Sequence, residues 1–118
     1  MTTFSRQLLS GSINGRAIPV AATATPGTLI HTAIAGTSAY DEIWLWVSNV
    51  TGAAATLTIE WGGVTDPGDH MSKAVVIPAN TGPTLICAGL VLQNGLVVRA
   101  FSGTAGALNI MGYVNRIQ

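Results

Sequence analysis

Ionised side chains are what this sequence has least of. Five basic and five acidic residues among 118 leave a formal net charge of zero and a charged share of 8%, against about 25% in a typical globular domain. With 48% of its residues hydrophobic, the chain falls outside the disordered class, which needs high charge and low hydrophobicity. The lack of a basic stripe argues against a nucleic-acid binder, because neutralising phosphates takes clustered Lys and Arg. Cysteine is almost missing: Cys87 has no partner within the chain, which excludes a disulfide framework. Long apolar runs are missing as well. None approaches the roughly 20 successive residues of a membrane-spanning helix. The opening MTTFSRQLLS holds no apolar stretch of secretory-signal length. Asn49-Val50-Thr51 matches a glycosylation acceptor, but without an export signal it reads as a chance match at a turn.

What is present is one domain's worth of chain, long enough to hide about two-thirds of its unfolded surface. A small monomer normally stays soluble behind a mixed charged surface. One lysine, Lys73, and four arginines cannot build one. Either the surface is polar without charge, through Thr, Ser, Asn and Gly, or much of it is buried against other subunits. Depletion of charge marks the cores of interfaces, which favours the second reading.

Residues 1–16 stand apart in composition. Phe4, Leu8, Leu9 and Ile13 are scattered among Ser, Gly, Asn and Arg without sustained period, so this stretch reads as an N-terminal arm outside the core. Residues 17–118 read as strand, turn, strand. Runs at 17–23, 28–34, 42–50, 55–61, 72–77, 84–87, 90–92, 96–101 and 107–117 are separated by turn residues such as Thr25-Pro26-Gly27 and Asn94-Gly95. In ATLTIEW, residues 55–61, Ala, Leu, Ile and Trp alternate with Thr, Thr and Glu, the period of a half-buried strand. In EIWLWVSNV, residues 42–50, Ile43, Leu45 and Val47 take one face and Trp44 and Trp46 the other, so both faces are expected to be covered. The spacing predicts an all-β fold: a single antiparallel β-sandwich, jelly-roll-like or Greek-key, of about eight strands.

Chemistry is scarce. His31 lies among apolar neighbours and reads as a hydrogen-bonded structural residue, since a general base needs a nucleophile and an orienting partner. Cys87 reads as a small buried hydrophobe. Asp66, Asp69 and His70 have neither calcium-loop nor zinc spacing, and Asp-Pro-Gly is ordinary turn chemistry. They read as a solvated turn, with an ion there as the open alternative. Gly62-Gly63 lacks the lysine and helix of a phosphate loop. Asp41 and Glu42 are adjacent, so a strand sends them to opposite faces. No nucleophile, base and orienter assemble from this set. The expectation is a chain without enzymatic activity, cofactor or resident metal. Trp44, Trp46 and Trp61 remain, as a sugar-binding platform or as core and subunit-interface anchors; large buried area and hot-spot enrichment favour the anchors.

Five segments give the chain a likeness. They are NGRAIPVAATATPGTLIHTA (14–33), DEIWLWVSN (41–49), LTIEWGG (57–63), IPANTG (77–82) and GYVNR (112–116). Together, in this order, they resemble a family of small tailed-bacteriophage virion proteins, most like capsid decoration, or cement, proteins. The resemblance implies a β-sandwich that assembles on the outer phage head as a homo-oligomer, commonly a trimer at local three-fold positions, and braces the shell against internal pressure. The partners it implies are copies of the chain and the major capsid protein, with no nucleic acid and no membrane. It places the protein on the virion's outer surface, and in the host cytoplasm before assembly. Two surfaces are then required. Trp44 and Trp46 are expected at the subunit interface. Phe4, Arg6, Leu8, Leu9 and Arg16 of the arm are expected to contact the capsid, ordering on contact. The alternative is a tail- or head-fibre adhesin, a carbohydrate-binding sandwich using Trp61 and the 62–70 loop.

Overall fold

The computed structural model describes residues 2–118, and these contain no helix, hence none that could cross a membrane. Nine strands follow one another: β1 (Phe4–Leu8), β2 (Ile18–Pro19), β3 (Thr28–Thr32), β4 (Tyr40–Asn49), β5 (Ala55–Trp61), β6 (His70–Ile77), β7 (Thr81–Leu92), β8 (Val97–Ser102) and β9 (Leu108–Ile117). They form two antiparallel sheets. The first runs β1–β9–β4–β7, with β2 also beside β9; the second runs β3–β8–β5–β6. Four of the pairings are nested: β1 with β9, β3 with β8, β4 with β7 and β5 with β6. The chain is thus one long antiparallel ribbon rolled so that successive rungs fall in alternate sheets, which is the jelly-roll form of the expected sandwich.

The core is built by strict alternation. Ile43, Leu45, Val47, Ile110 and Val114 from the first sheet meet Ile30, Leu57, Ile59, Val98 and Ala100 from the second, all buried. Burying each larger aliphatic side chain stabilises the fold by about 1.5–3 kcal/mol before entropy is charged against it. β5 occupies 55–61 as its alternation predicts. At the Asn94-Gly95 turn both residues have positive φ, 63° and 69°, the geometry for which this pair is favoured.

Three segments differ from expectation. The runs 84–87 and 90–92 are one strand, β7, because Gly89 adopts φ 74° and forms a bulge where the register with β4 shifts between Ile43 and Trp44. Of 17–23 only Ile18–Pro19 pairs as a strand; the rest crosses between sheets, with the Ala22 amide donating to Thr28 Oγ1 and the Ser102 amide to the Ala22 carbonyl. Within the arm expected over 1–16, the described residues 2–16 do not stand apart from the core. Residues 4–8 are β1, an edge strand along β9, and Leu9 is buried in the core. The following turn closes that flank of the sandwich: the Gly11 amide donates to the Ile30 carbonyl, and the Thr32 amide to Ser10 Oγ.

Candidate functional site

One group of chemistry-bearing side chains gathers on the outer face of the first sheet. β4 alternates Asp41, Ile43, Leu45 and Val47 inward, so Glu42, Trp44 and Trp46 point outward. On β9 the register sets Tyr113 opposite Trp44 and Asn115 opposite Glu42. On β1, Leu8 lies opposite Tyr113, Arg6 opposite Asn115 and Phe4 opposite Ile117. On β7, Leu85 lies opposite Trp46 and Val91 opposite Glu42.

The aromatic rings form a continuous cluster. The Trp44 centroid lies 6.4 Å from Trp46 and 6.4 Å from Tyr113, with planes inclined by 22° and 19°, and Trp46 lies 6.0 Å from Tyr113. Arg6 sets its guanidinium carbon 4.4 Å above the Tyr113 ring, a cation–π contact worth about 0.5–1 kcal/mol at an exposed site. Glu42 Oε1 accepts from Trp44 Nε1 at 2.8 Å and from Asn115 Nδ2 at 3.1 Å. Those two bonds, the indole first, hold the Glu42 carboxyl below the usual carboxylate range. Around this cluster the face is apolar and open: Phe4 is 70% and Leu8 58% exposed. An exposed apolar patch of this kind marks an interaction surface.

The residues expected at two separate surfaces are therefore distributed differently. Phe4, Arg6 and Leu8 share one face with Trp44 and Trp46. Leu9 leaves the set, because its side chain fills the core between the sheets and offers nothing outward. Arg16 lies elsewhere, on an exposed turn lining a cleft of about 220 Å³ with Ile13 and Pro19. Trp61 belongs to the second sheet and packs against the core, so the three indoles do not form one platform. Tyr113 is the member that sequence reading missed. Only the β4–β9 register brings it beside Trp44, and nothing in the spacing of residues 44 and 113 shows it.

Most of the other polar groups are engaged in hydrogen bonds or ion pairs within the fold. His31 and Asp41 are buried side by side: His31 Nε2 donates to Asp41 Oδ2 at 2.7 Å, while His31 Nδ1 accepts the Ser10 amide at 3.0 Å. Arg116 donates to the same carboxylate through Nε at 2.8 Å and Nη2 at 3.1 Å. Ser, His and Asp are near one another here, but no catalytic triad forms. The imidazole nitrogen that would serve as base is occupied by a main-chain N–H, and the Ser10 hydroxyl oxygen accepts from the Thr32 amide. Cys87 is buried, with Sγ 3.2 Å from the Ile43 carbonyl; burial pushes its thiol above the ordinary value. Asn49 spends its amide on the Ala53 and Ile77 carbonyls and accepts from Thr51, a turn role that leaves the glycosylation triplet unused. Asp66 pairs with Lys73 at 2.7 Å, and the Asp69 carboxylate accepts the Thr65 amide. His70 Nδ1 lies 3.5 Å from Asp66 Oδ1, and neither ring nitrogen has a hydrogen-bond partner. Among the described residues no cluster of three or more His, Cys, Asp or Glu is placed to hold a metal ion.

The His31 site has a measurable pH signature. Burial lowers the His31 pKa, with the nearby Arg116 charge adding to it and the Asp41 bond opposing it. A second ring N–H would also face the Ser10 amide head-on. The folded pKa thus lies below the unfolded value of about 6.5, and the unfolded chain takes up the proton first. The contribution is complete above that pH and is lost as the pH falls from there towards the folded value. Asp41 follows further down. Burial would raise its carboxyl, but the Arg116 and His31 bonds outweigh burial and hold it below the ordinary value, so its contribution is lost as the pH falls through that lowered pKa. Thermal unfolding midpoints are expected to decline once the pH drops below about 6.5, and His31→Gln to remove that first decline. An unchanged decline in the variant would contradict the assignment.

Comparison with protein-family models, curated proteins and solved structures returns no match for this chain.

Proposed function

We propose that this protein is a non-enzymatic assembly subunit, a decoration protein that binds the outside of a tailed-phage head and stabilises the shell. The observation that carries the reading is the outer face of the first sheet, where Trp44, Trp46 and Tyr113 cluster beside exposed Phe4 and Leu8. Aromatic residues and arginine are the anchors that dominate interface energetics, and their neighbours serve to exclude water. The scarcity of charge supports the same reading, because covering this face desolvates few ions. The likeness of residues 14–116 to phage virion proteins supplies the partner, the major capsid protein. Jelly rolls recur in viral capsid and lectin domains.

The test is co-sedimentation with undecorated heads of the phage that encodes the chain. The unmodified protein is expected to pellet with heads, and Trp46→Lys to bind roughly tenfold or more weakly, because a desolvated ammonium would replace an anchor. Equal binding by the variant would contradict the docking role. A second reading, a carbohydrate-binding module on a fibre, draws on the same rings, since near-parallel Trp and Tyr faces with Arg6, Glu42 and Asn115 at their border suit a sugar. Glycan-array binding that disappears in Trp44→Ala, without head binding, would decide for it.

A further inference from the structure

A decoration protein needs one surface for the shell and another for its own copies. Phe4, Arg6 and Leu8 share their face with Trp44 and Trp46, so that face supplies only one of the two. The second lies along the flank opposite the N-terminal turn, where β6 and β7 form the edges of their respective sheets. Among the described residues β6 pairs only with β5, and β7 only with β4.

The sandwich is not closed on this flank. Opposed residues of an antiparallel ladder point to the same face. Val75 lies opposite Leu57, and Leu90 opposite Ile43. Leu57 and Ile43 are fully buried, yet Val75 is 47% and Leu90 49% exposed. These are core-facing positions left about half uncovered. Thr84, opposite buried Val47, is likewise exposed. Val76 adds further exposed apolar surface to β6, whereas Leu85 and Val91 of β7 belong to the aromatic face.

The flank is also poor in charge. Lys73, exposed on β6 and paired with Asp66, is the last charged side chain before Arg99, so the whole of β7 and the part of β6 beyond Lys73 carry none. Natural edge strands are usually guarded by charges, prolines or bulges. Here Pro83 and the Gly89 bulge interrupt the row of main-chain donors, but beyond Lys73 no charge repels an approaching apolar surface. A charged partner would lose its hydration here without compensation. A second copy brings a flank as apolar as the first, its one lysine already paired with Asp66, and a chain of zero net charge does not repel itself.

We infer that copies of this chain meet flank to flank along β6 and β7, burying Val75, Val76, Thr84 and Leu90 against their counterparts. The inference deepens the assembly-subunit reading and rests on it. It leaves the aromatic face free for the shell.

The experiment is light scattering coupled to size exclusion on the full chain at high micromolar concentration. The unmodified protein is expected to run as two or more copies. Thr84→Lys, which adds a charge at an exposed position without deleting an apolar group, is expected to weaken association roughly tenfold or more. Val76→Lys with Leu90→Lys is expected to give a monomer, with circular dichroism reporting the retained fold. Trp46→Lys should leave the copy number unchanged. A monomeric unmodified protein overturns the inference, as does association that resists the flank variants but is lost in Trp46→Lys. Association without head binding would fail the docking proposal while leaving the flank intact, so the two failures are distinguishable.

Discussion

Truncating Asp41 to alanine is expected to destabilise the fold by about 3–5 kcal/mol, a large share of the roughly 5–15 kcal/mol that holds a domain together. Asp41 is fully buried and accepts four hydrogen bonds: one from His31, one from the Ile34 amide and two from Arg116. Alanine strands all three donors. The Ile34 amide and the His31 ring lose an acceptor inside the sandwich, where an unsatisfied polar group costs about 1–3 kcal/mol. The Arg116 guanidinium loses its counter-charge but is 25% exposed, so it can turn partly to water, which places the expected loss towards the low end. Asp41→Asn keeps the shape and one acceptor, and should fall between. Urea midpoints are the measurement, with an unchanged m-value showing that the cooperative unit is the same. A loss below about 1 kcal/mol would mean that the pair behaves as a surface salt bridge.

The second large effect is expected at Gly112, in the middle of β9 opposite Leu45. A Cβ built there would collide with the Trp44 carbonyl oxygen and approach the Leu45 Cα. Both belong to the main chain of β4, which is pinned between β9 and β7 and cannot swing aside as a side chain would. Gly112→Ala is therefore expected to cost about 3 kcal/mol and to spread β4 from β9. Trp44 and Tyr113 sit on that seam, so the near-ultraviolet circular dichroism of the aromatic cluster should weaken with the thermal midpoint. An alanine variant as stable as the parent, with its aromatic signal intact, would show that the strands are not held this close.

The two sites illustrate what a one-dimensional reading reaches. Alternation in ATLTIEW gave β5 to the residue, and the Ile43–Val47 pattern placed two tryptophans outside the core, because both signals are local. β1 escaped because its apolar residues, Phe4 and Leu8, point outward while Ser5 and Gln7 point inward, the reverse of a core strand. β7 was divided because Ala88-Gly89 looks like a turn, whereas a bulge lets the strand run through. The His31–Asp41–Arg116 cluster was out of reach, since Arg116 is 75 residues from Asp41 and only the β4–β9 pairing joins them. The charge-free stretch after Lys73 is visible in the sequence. That Val75 and Leu90 face the core side and remain uncovered is not, because it depends on how far one sheet overlaps the other.

In the proposed function, the aromatic outer face of the first sheet is covered by the shell of a phage head. Electron cryomicroscopy of heads saturated with this chain is the most direct test. Density for the sandwich is expected on the outer shell, with Trp44, Trp46 and Tyr113 turned towards the capsid protein. Bare heads, or a bound sandwich whose aromatic face looks out to solvent, would contradict the proposal.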